Sequence, residues 1–375
     1  MGDYFGKEVF KLGYGLMRLP KLADGSMDIE QIKGMVDRFI AAGGTYFDTA
    51  YVYDGGDSER AAKEALVKRY PRDSYTLATK LNARVAKDEA DAKQQLATSL
   101  ERTGAGYFDY YLLHALSGVG DNYKTYEKFG LWDFVREAKA KCLVKHWGFS
   151  FHGSPELLDE LLTKYPDVEF IQLQINYADW DDPRVQSRRC WEVARQHGVS
   201  VTIMEPVKGG TLANPPQAVK DILTAANPDM SPAVWAIRFA ASLDGIITVL
   251  SGMSNTAQME DNLSAMRAFR PLDDQERAVI ARAQAALNAI PSIACTGCRY
   301  CVDGCPMSIP IPDIFSAMNK HLIFGQTEGA KKDYKWETRN GGKASDCVQC
   351  GQCEAACPQH LPIIDSLKQC AGTLE

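Results

Sequence analysis

"TYFDTAYVYDGGDSERAAKEALVKRYPRDSYTLATK", residues 45–80, holds one full repeat of the pattern on which the fold rests. A short apolar run, "TYFDTA", carries a carboxylate at its end. A segment of helical period follows, "DSERAAKEALVKRY", and then a second β-rich run, "SYTLATK", which closes on a lysine. Runs of this length and composition, separated by an amphipathic stretch, predict strand, helix and strand in parallel succession.

The same alternation extends in both directions. Further β-rich runs are "KLGYGLM", "YFDYYLLHA", "LVKHWGFS", "EFIQLQIN", "SVTIME" and "GIITVLSG", and helical stretches such as "IEQIKGMVDRFIAAGG" and "EADAKQQLATSLERTG" lie between them. Eight strands, each followed by an amphipathic segment, is the count of a (β/α)8 TIM barrel. A doubly wound sheet would place a GxGxxG turn after its first strand. "GYGLMR" is not that turn, so the barrel is expected.

The last quarter of the chain reads differently. "CTGCRYCVDGCP" (295–306) sets four cysteines at offsets 0, 3, 6 and 10 with proline after the last, and "CVQCGQCEAACP" (347–358) repeats it. Three cysteines at intervals of three lie along one tight loop, so their sulfurs can meet three corners of one inorganic cube. Zinc also takes paired CxxC motifs, but it does not explain a third cysteine at the same interval or the repeated CP ending. The spacing resembles bacterial-type two-cluster ferredoxins, in which the fourth cysteine of each run serves the other run's cluster. That resemblance implies one 4Fe–4S cluster on Cys295, Cys298, Cys301 and Cys357, and another on Cys347, Cys350, Cys353 and Cys305. "IPIPDIFSAMNKHL" reads as a proline-led helix, so a small, mainly helical ferredoxin-like domain is expected. "EGAKKDYKWETRNGGK" (328–343) reads as a solvated connector. The expected domains are a barrel over 1–270, a linker helix over 271–290 and the ferredoxin-like domain over 291–375.

Totals bound the partners. Of 375 residues, 45% are hydrophobic and 24% charged, and the net charge is −6. With no long basic stretch, neither nucleic acid nor an anionic membrane is an expected partner. "VWAIRFAASLDGIITVLSG" is broken by Arg238 and Asp244, so no run spans a bilayer. The N-terminus lacks the basic-then-apolar pattern of a signal peptide, and a cytoplasmic location is expected. Eleven cysteines would be odd as disulfides in a reducing compartment. Outside the two runs, Cys142 and Cys190 read as buried small hydrophobes, and Cys370 is given no role.

In a TIM barrel, chemistry sits where strands end and βα loops begin. Asp48 ends the second strand, with Tyr53 just beyond it; Lys80 ends the third and His114 the fourth. Singly, these could be a helix cap, a solvated strand end and a core histidine. Together, four polar residues of complementary type on successive strand ends point to a site. "FDTAYVY" followed by "SE", with Lys80 and His114 at these spacings, resembles the aldo–keto reductase family over about residues 8–265. With the double cysteine run, the whole chain resembles its iron–sulfur branch.

The resemblance implies reduction of a small-molecule carbonyl, or oxidation of an alcohol, with NADH or NADPH. Tyr53 would act as the acid, its pKa brought down by Lys80; Asp48 would hold Lys80, and His114 would orient the carbonyl oxygen. It also implies cofactor contacts at Met17, Ser150, Gln174, Met204, Lys208, Gly209, Ser251, Gly252, Gln258 and Asn262. The loop after the eighth strand combines glycine with a helix start, which suits phosphate. Three departures from the family stand out. Phe151 stands where asparagine is usual and Met204 where an aromatic often stacks. Gly252 and Gln258 stand where basic residues clamp a 2′-phosphate. Arg18 reads equally as an anion contact or a structural pair, and His152 and Trp180 read as pocket lining.

Clusters move single electrons and nicotinamide moves hydride, so direct coupling calls for an intermediary. A flavin- or ferredoxin-linked reductase is therefore an alternative, with a ferredoxin as a candidate redox partner. A non-catalytic redox-responsive interaction protein is another. The cysteine-rich tail is expected near the barrel mouth.

Overall fold

A computed structural model describes residues 2–5, 7–118 and 122–375. An antiparallel hairpin, β1 (Gly2–Tyr4) and β2 (Lys7–Val9), precedes the barrel. Then follow β3 (Leu12–Gly15), β4 (Tyr46–Asp48), β5 (Thr76–Leu81), β6 (Phe108–Leu116), β7 (Val144–Phe151), β8 (Phe170–Gln174), β9 (Ser200–Met204) and β10 (Ile246–Ser251). These eight pair in parallel, each with the next, and β10 pairs with β3 to close the barrel. The expected (β/α)8 fold is the fold of the chain.

Helices α1 (Ile29–Ala41), α2 (Asp57–Ala62), α3 (Glu89–Thr103), α4 (Asn122–Lys128), α5 (Leu131–Ala140), α6 (Pro155–Lys164), α7 (Ser187–Gln196), α8 (Gln217–Ala226), α9 (Pro232–Ala241) and α10 (Thr256–Met266) follow or connect the strands. Several start at side-chain caps, since Asp28, Asp88, Ser154, Ser231 and Asn255 each accept a backbone N–H of the first turn. Strand residues of one parity fill the interior, with Tyr46, Tyr110 and Phe170 meeting at ring distances of 4.9 and 5.1 Å. Those of the other parity, such as Phe47, Tyr111 and Phe149, pack against the helices. Gly148 lets β7 approach β8, because a Cβ there would lie 1.8 Å from the Phe170 carbonyl oxygen.

Residues after the barrel form α11 (Asp274–Asn288), α12 (Tyr300–Asp303), α13 (Ile311–Phe324), α14 (Thr327–Glu337), α15 (Gln352–Ala355) and α16 (Ile363–Leu374). The chain divides into two compact units, one of residues 1–181, 185–213 and 229–277, the other of 182–184, 214–228 and 278–375. The second has its own apolar core, in which Ile311, Ile314, Phe315, Met318, Leu367 and Leu374 are buried.

Two expectations fail here. The charged side chains of residues 328–343 are mostly exposed, as expected, but the segment is not a plain connector: most of it forms α14, which buries Ala330 and Tyr334 in that core. Charged neighbours masked an apolar face of only two residues. Cys142 is exposed in a left-handed turn after α5, at φ 58°, rather than buried. Cys190 is buried as expected, and burial pushes its thiol up to about 12. Cys370 is also buried. Among the described residues no helix is long and apolar enough to cross a membrane.

Candidate functional site

Lys80, on β5, is fully buried, and a buried ammonium must be paired and hydrogen-bonded. Its Nζ forms an ion pair with Asp48, at the end of β4. It also donates to the Thr49 carbonyl at 2.7 Å and to the Tyr53 hydroxyl at 3.4 Å. Three partners use its three protons. Asp48 is held in turn by Gln172 of β8, whose Nε2 donates to Oδ2 at 3.2 Å. Burial works to lower the Lys80 pKa, but Asp48 and Tyr53 outweigh it and keep the ammonium above its ordinary value. Burial raises Asp48 above the usual carboxylate range, against the pull of Lys80.

Tyr53 begins the single turn that follows β4. Its ring meets the His114 ring edge-on, with centroids 5.7 Å apart at 76°. Lys80 works to bring the Tyr53 pKa down, but burial outweighs it and keeps it above 10. The phenol is therefore protonated at neutral pH, the form a proton donor must have. Burial, with the Lys80 charge added, pushes His114 well below 6.5, so its ring is neutral. Among the described residues its Nδ1 is buried without a hydrogen-bond partner, an atom left for something else to satisfy.

The "SE" of the motif serves structure. Ser58 Oγ donates to the Leu16 carbonyl at 2.8 Å. Buried Glu59 accepts from Thr79 Oγ1 at 2.7 Å and from Arg102 at 3.2 Å. These bonds tie α2 to β5 and α3 and so fix the loop that carries Tyr53.

A cavity of about 300 Å³ opens beside the ends of β9 and β10. Of the expected contacts, Arg18, Gly209, Ser251, Gly252, Gln258 and Asn262 line it, joined by Glu205, Ser254 and Asp261, which the sequence did not single out. The cavity reaches the first turn of α10, where Asn255 caps Gln258 N–H at 2.9 Å and the Gln258 side chain accepts Ser254 N–H at 2.7 Å. A helix start lined by glycine suits a phosphate through N–H groups and the helix dipole. Asn262 Nδ2 donates to Ser251 Oγ at 2.9 Å and steadies the rim. Arg18 lies on the cavity wall with its Nη2 4.0 Å from Glu205, the structural pair of its two expected descriptions.

Met17, Ser150, Gln174, Met204 and Lys208 do not line this cavity. Met17 is exposed on the turn after β3, and Met204 is half-buried at the end of β9. Ser150 Oγ accepts Ala115 N–H at 2.7 Å beside His114. Gln174 and Lys208 converge on buried Asp179, which also takes a bond from Asn176 at 2.8 Å. Burial works against the Asp179 charge, but Lys208 and these bonds hold its pKa below the usual range. His152 is exposed. Trp180 packs on Trp191 and Phe239, at 5.8 and 5.5 Å, and is not among the cavity residues. Phe151 is buried against Phe149. Asp179 gave no signal in its loop, whereas Gln172 was visible as a polar residue inside the apolar run "FIQLQ".

In the second unit, Cys295, Cys298, Cys301 and Cys357 line one small cavity, with Phe315 and Ile363 among its apolar walls. Cys305, Cys347, Cys350 and Cys353 line another, with Ile309 and Leu367. Each set thus draws its fourth cysteine from the other run. Among the described residues no three His, Cys, Asp or Glu side chains gather tightly enough to hold a single metal ion. Thiols spread round a cavity fit a cluster better than one zinc ion, which needs sulfurs at about 2.3 Å.

Residues 11–285 match the aldo/keto reductase family, and residues 294–361 match a 4Fe–4S dicluster domain. An uncharacterized oxidoreductase of Bacillus subtilis, YqkF, is 25% identical over 306 residues, 72% of this chain and 92% of that protein. The holo form of aldo-keto reductase AKR11C1 from Bacillus halodurans superimposes with a TM-score of 0.59 at 24% identity, over 74% of this chain and 93% of that one. An aldo/keto reductase from Klebsiella pneumoniae in complex with NADP and acetate gives 0.57 at 20% identity, over 73% and 91%. The chain belongs to the aldo/keto reductase family, as an oxidoreductase carrying a 4Fe–4S dicluster domain after its barrel.

Proposed function

We propose that the chain reduces a small-molecule carbonyl, and in reverse oxidises an alcohol, with Tyr53 as the proton donor and acceptor. The observation that carries this is the buried line Asp48–Lys80–Tyr53, with Lys80 Nζ 3.4 Å from the Tyr53 oxygen. A nicotinamide, when bound, supplies or accepts the hydride; the NADP in the Klebsiella neighbour supports that choice.

Tyr53 gives its phenolic proton to the carbonyl oxygen as negative charge gathers there. Lys80 stabilises the phenolate left behind, and Asp48 fixes Lys80 at the correct height in the barrel. The neutral His114 ring, edge-on to Tyr53, donates its N–H to the same oxygen and so favours the charge that develops there. The cavity at α10 holds the cofactor's phosphates. The cysteine sets hold two 4Fe–4S clusters, which exchange single electrons when bound.

Replacing Tyr53 by Phe removes the proton and leaves the cavity untouched. Carbonyl reduction should fall by about 10²–10⁴-fold, with nicotinamide binding nearly unchanged. Full activity in Y53F would overturn the assignment.

A second reading has the barrel act with one-electron donors. It is favoured by the exposure of Cys298 and Cys350, one in each set. EPR of anaerobic protein before and after NADH separates the two. Clusters reduced by NADH join hydride and electron chemistry in one chain, whereas clusters reduced only by a low-potential carrier favour the second reading.

A further inference from the structure

Along β6 the side chains alternate between two cores. Tyr110 and Leu112 belong to the barrel interior, and Tyr111 and Leu113 pack outward against the helices. By that alternation His114 faces inward, where its ring meets Tyr53 at 5.7 Å. Leu116 would face inward beyond it. Instead Leu116 packs in the outer core with Tyr111 and Leu113.

The register against β7 accounts for the reversal. Leu113 pairs with Phe149 and Leu116 with Phe151, so β6 takes three steps where β7 takes two. That is a β-bulge, a device that re-aims side chains. Ala115 directly follows His114 within it and is left-handed, at φ 59°. The bulge keeps a leucine off the inward face just past His114, at the strand end where a carbonyl must reach the ring.

A left-handed backbone is costly for any residue with a Cβ, and it persists only where the surroundings hold it. Alanine has no polar side chain to support itself, so neighbours do. Asn122, buried at the first position of α4, donates from Nδ2 to the Ala115 carbonyl at 2.9 Å and to Ser117 Oγ at 3.0 Å. Its Oδ1 accepts the Ser117 N–H at 2.8 Å. One side chain thus clamps the chain on both sides of Leu116. Ser150, on β7, accepts the Ala115 N–H at 2.7 Å, and Tyr126, one turn further along α4, donates to the His114 carbonyl at 2.5 Å. The residue after Tyr53 is left-handed too, Asp54 at φ 48°, so strained backbone adjoins both rings.

We propose that Asn122 is a positioning residue for carbonyl reduction, locking the bulge at Ala115 and through it the His114 ring against Tyr53. This rests on the reading of His114 as the hydrogen-bond donor to the carbonyl oxygen. Both amide protons of Asn122 are taken by Ala115 and Ser117, so it acts through the backbone of β6. Without the clamp the strand can return to regular alternation, which turns Leu116 inward and shifts the ring out of line.

The test is a double-mutant cycle on the full-length protein, with 4-nitrobenzaldehyde and NADH as probes, joined to a crystal structure of N122A. In N122A kcat should fall by about tenfold to a hundredfold, as small misplacements of a reacting group do, while the KM for NADH stays. N122A/H114A should be no slower than H114A, because the ring through which Asn122 acts is gone. An unchanged kcat in N122A, or the same fall in both backgrounds, overturns the proposal. If N122A does not fold, N122D decides by the same comparison, since it keeps the acceptor for Ser117 N–H and loses both donors. Wild-type protein that turns over no aldehyde fails the carbonyl reading itself. The crystal structure then decides for Asn122: Leu116 turned inward supports the clamp, and an unchanged bulge overturns it.

Discussion

Tyr53 sits between two opposing influences, burial that keeps its proton on and a lysine that would help it leave. Burial wins in the free protein, which orders the pH dependence of the two directions of reaction. Reduction uses the protonated phenol, so its kcat/KM should stay flat through neutral pH and fall only in alkaline solution. Alcohol oxidation uses the phenolate and should rise with pH over the same range. His114 is neutral because its pKa lies well below 6.5, so neither profile should break near pH 6.5. Rate profiles in both directions check this, and a break near 6.5 would show that His114 titrates in the working protein. Cofactor choice is also a matter of single residues. The cavity sets one guanidinium, Arg18, against two carboxylates, Glu205 and Asp261, with uncharged Gly252 and Gln258 beside them. A further phosphate has no spare positive partner there, so NADH should bind about tenfold more tightly than NADPH, about 1.4 kcal/mol. Fluorescence titration with each nucleotide measures the ratio, and equal affinities would discard the charge argument.

At the scale of elements, the barrel is a ring in which each strand constrains the next. β7 and β8 come so close at Gly148 that a methyl group would meet the Phe170 carbonyl, a backbone atom that cannot swing aside. Gly148→Ala should therefore cost about 3 kcal/mol, read as a lowered denaturant midpoint. An unchanged midpoint would mean that the strands part more easily than a closed ring allows. All eight strands were legible because each is a short apolar run ended by polar or glycine-rich turns. α14 was not, since its buried face consists of Ala330 and Tyr334 among lysines and acids. Its order comes from packing in the second unit's core and from Tyr334, whose hydroxyl accepts Ala344 N–H at 2.8 Å.

For the whole molecule, the two units should differ in what stabilises them. The barrel unit has a broad apolar core of its own. In the second unit, the loops bearing the cysteines lie round two cavities, and the helices there are short; α12 and α15 have four residues each. Binding energy at such sites is folding energy. Removing iron with a chelator under mild oxidation should therefore strip hydrogen-exchange protection from residues 294–361 and leave the barrel strands protected. Loss of protection in β3–β10 to the same extent would show that the two parts fold as one cooperative body.

By itself the sequence determined the barrel, the pattern of the cysteine runs and the four polar residues at or just past three strand ends, because each rests on local periodicity or on short fixed spacings. Only the tertiary structure decided the electrostatics. Whether Lys80 or burial governs Tyr53 depends on how completely water is excluded, and that follows from strands far apart in the chain. Gln172 reaching Asp48 across 124 positions is one case. Charge acts through space, and only the fold sets which charges are near.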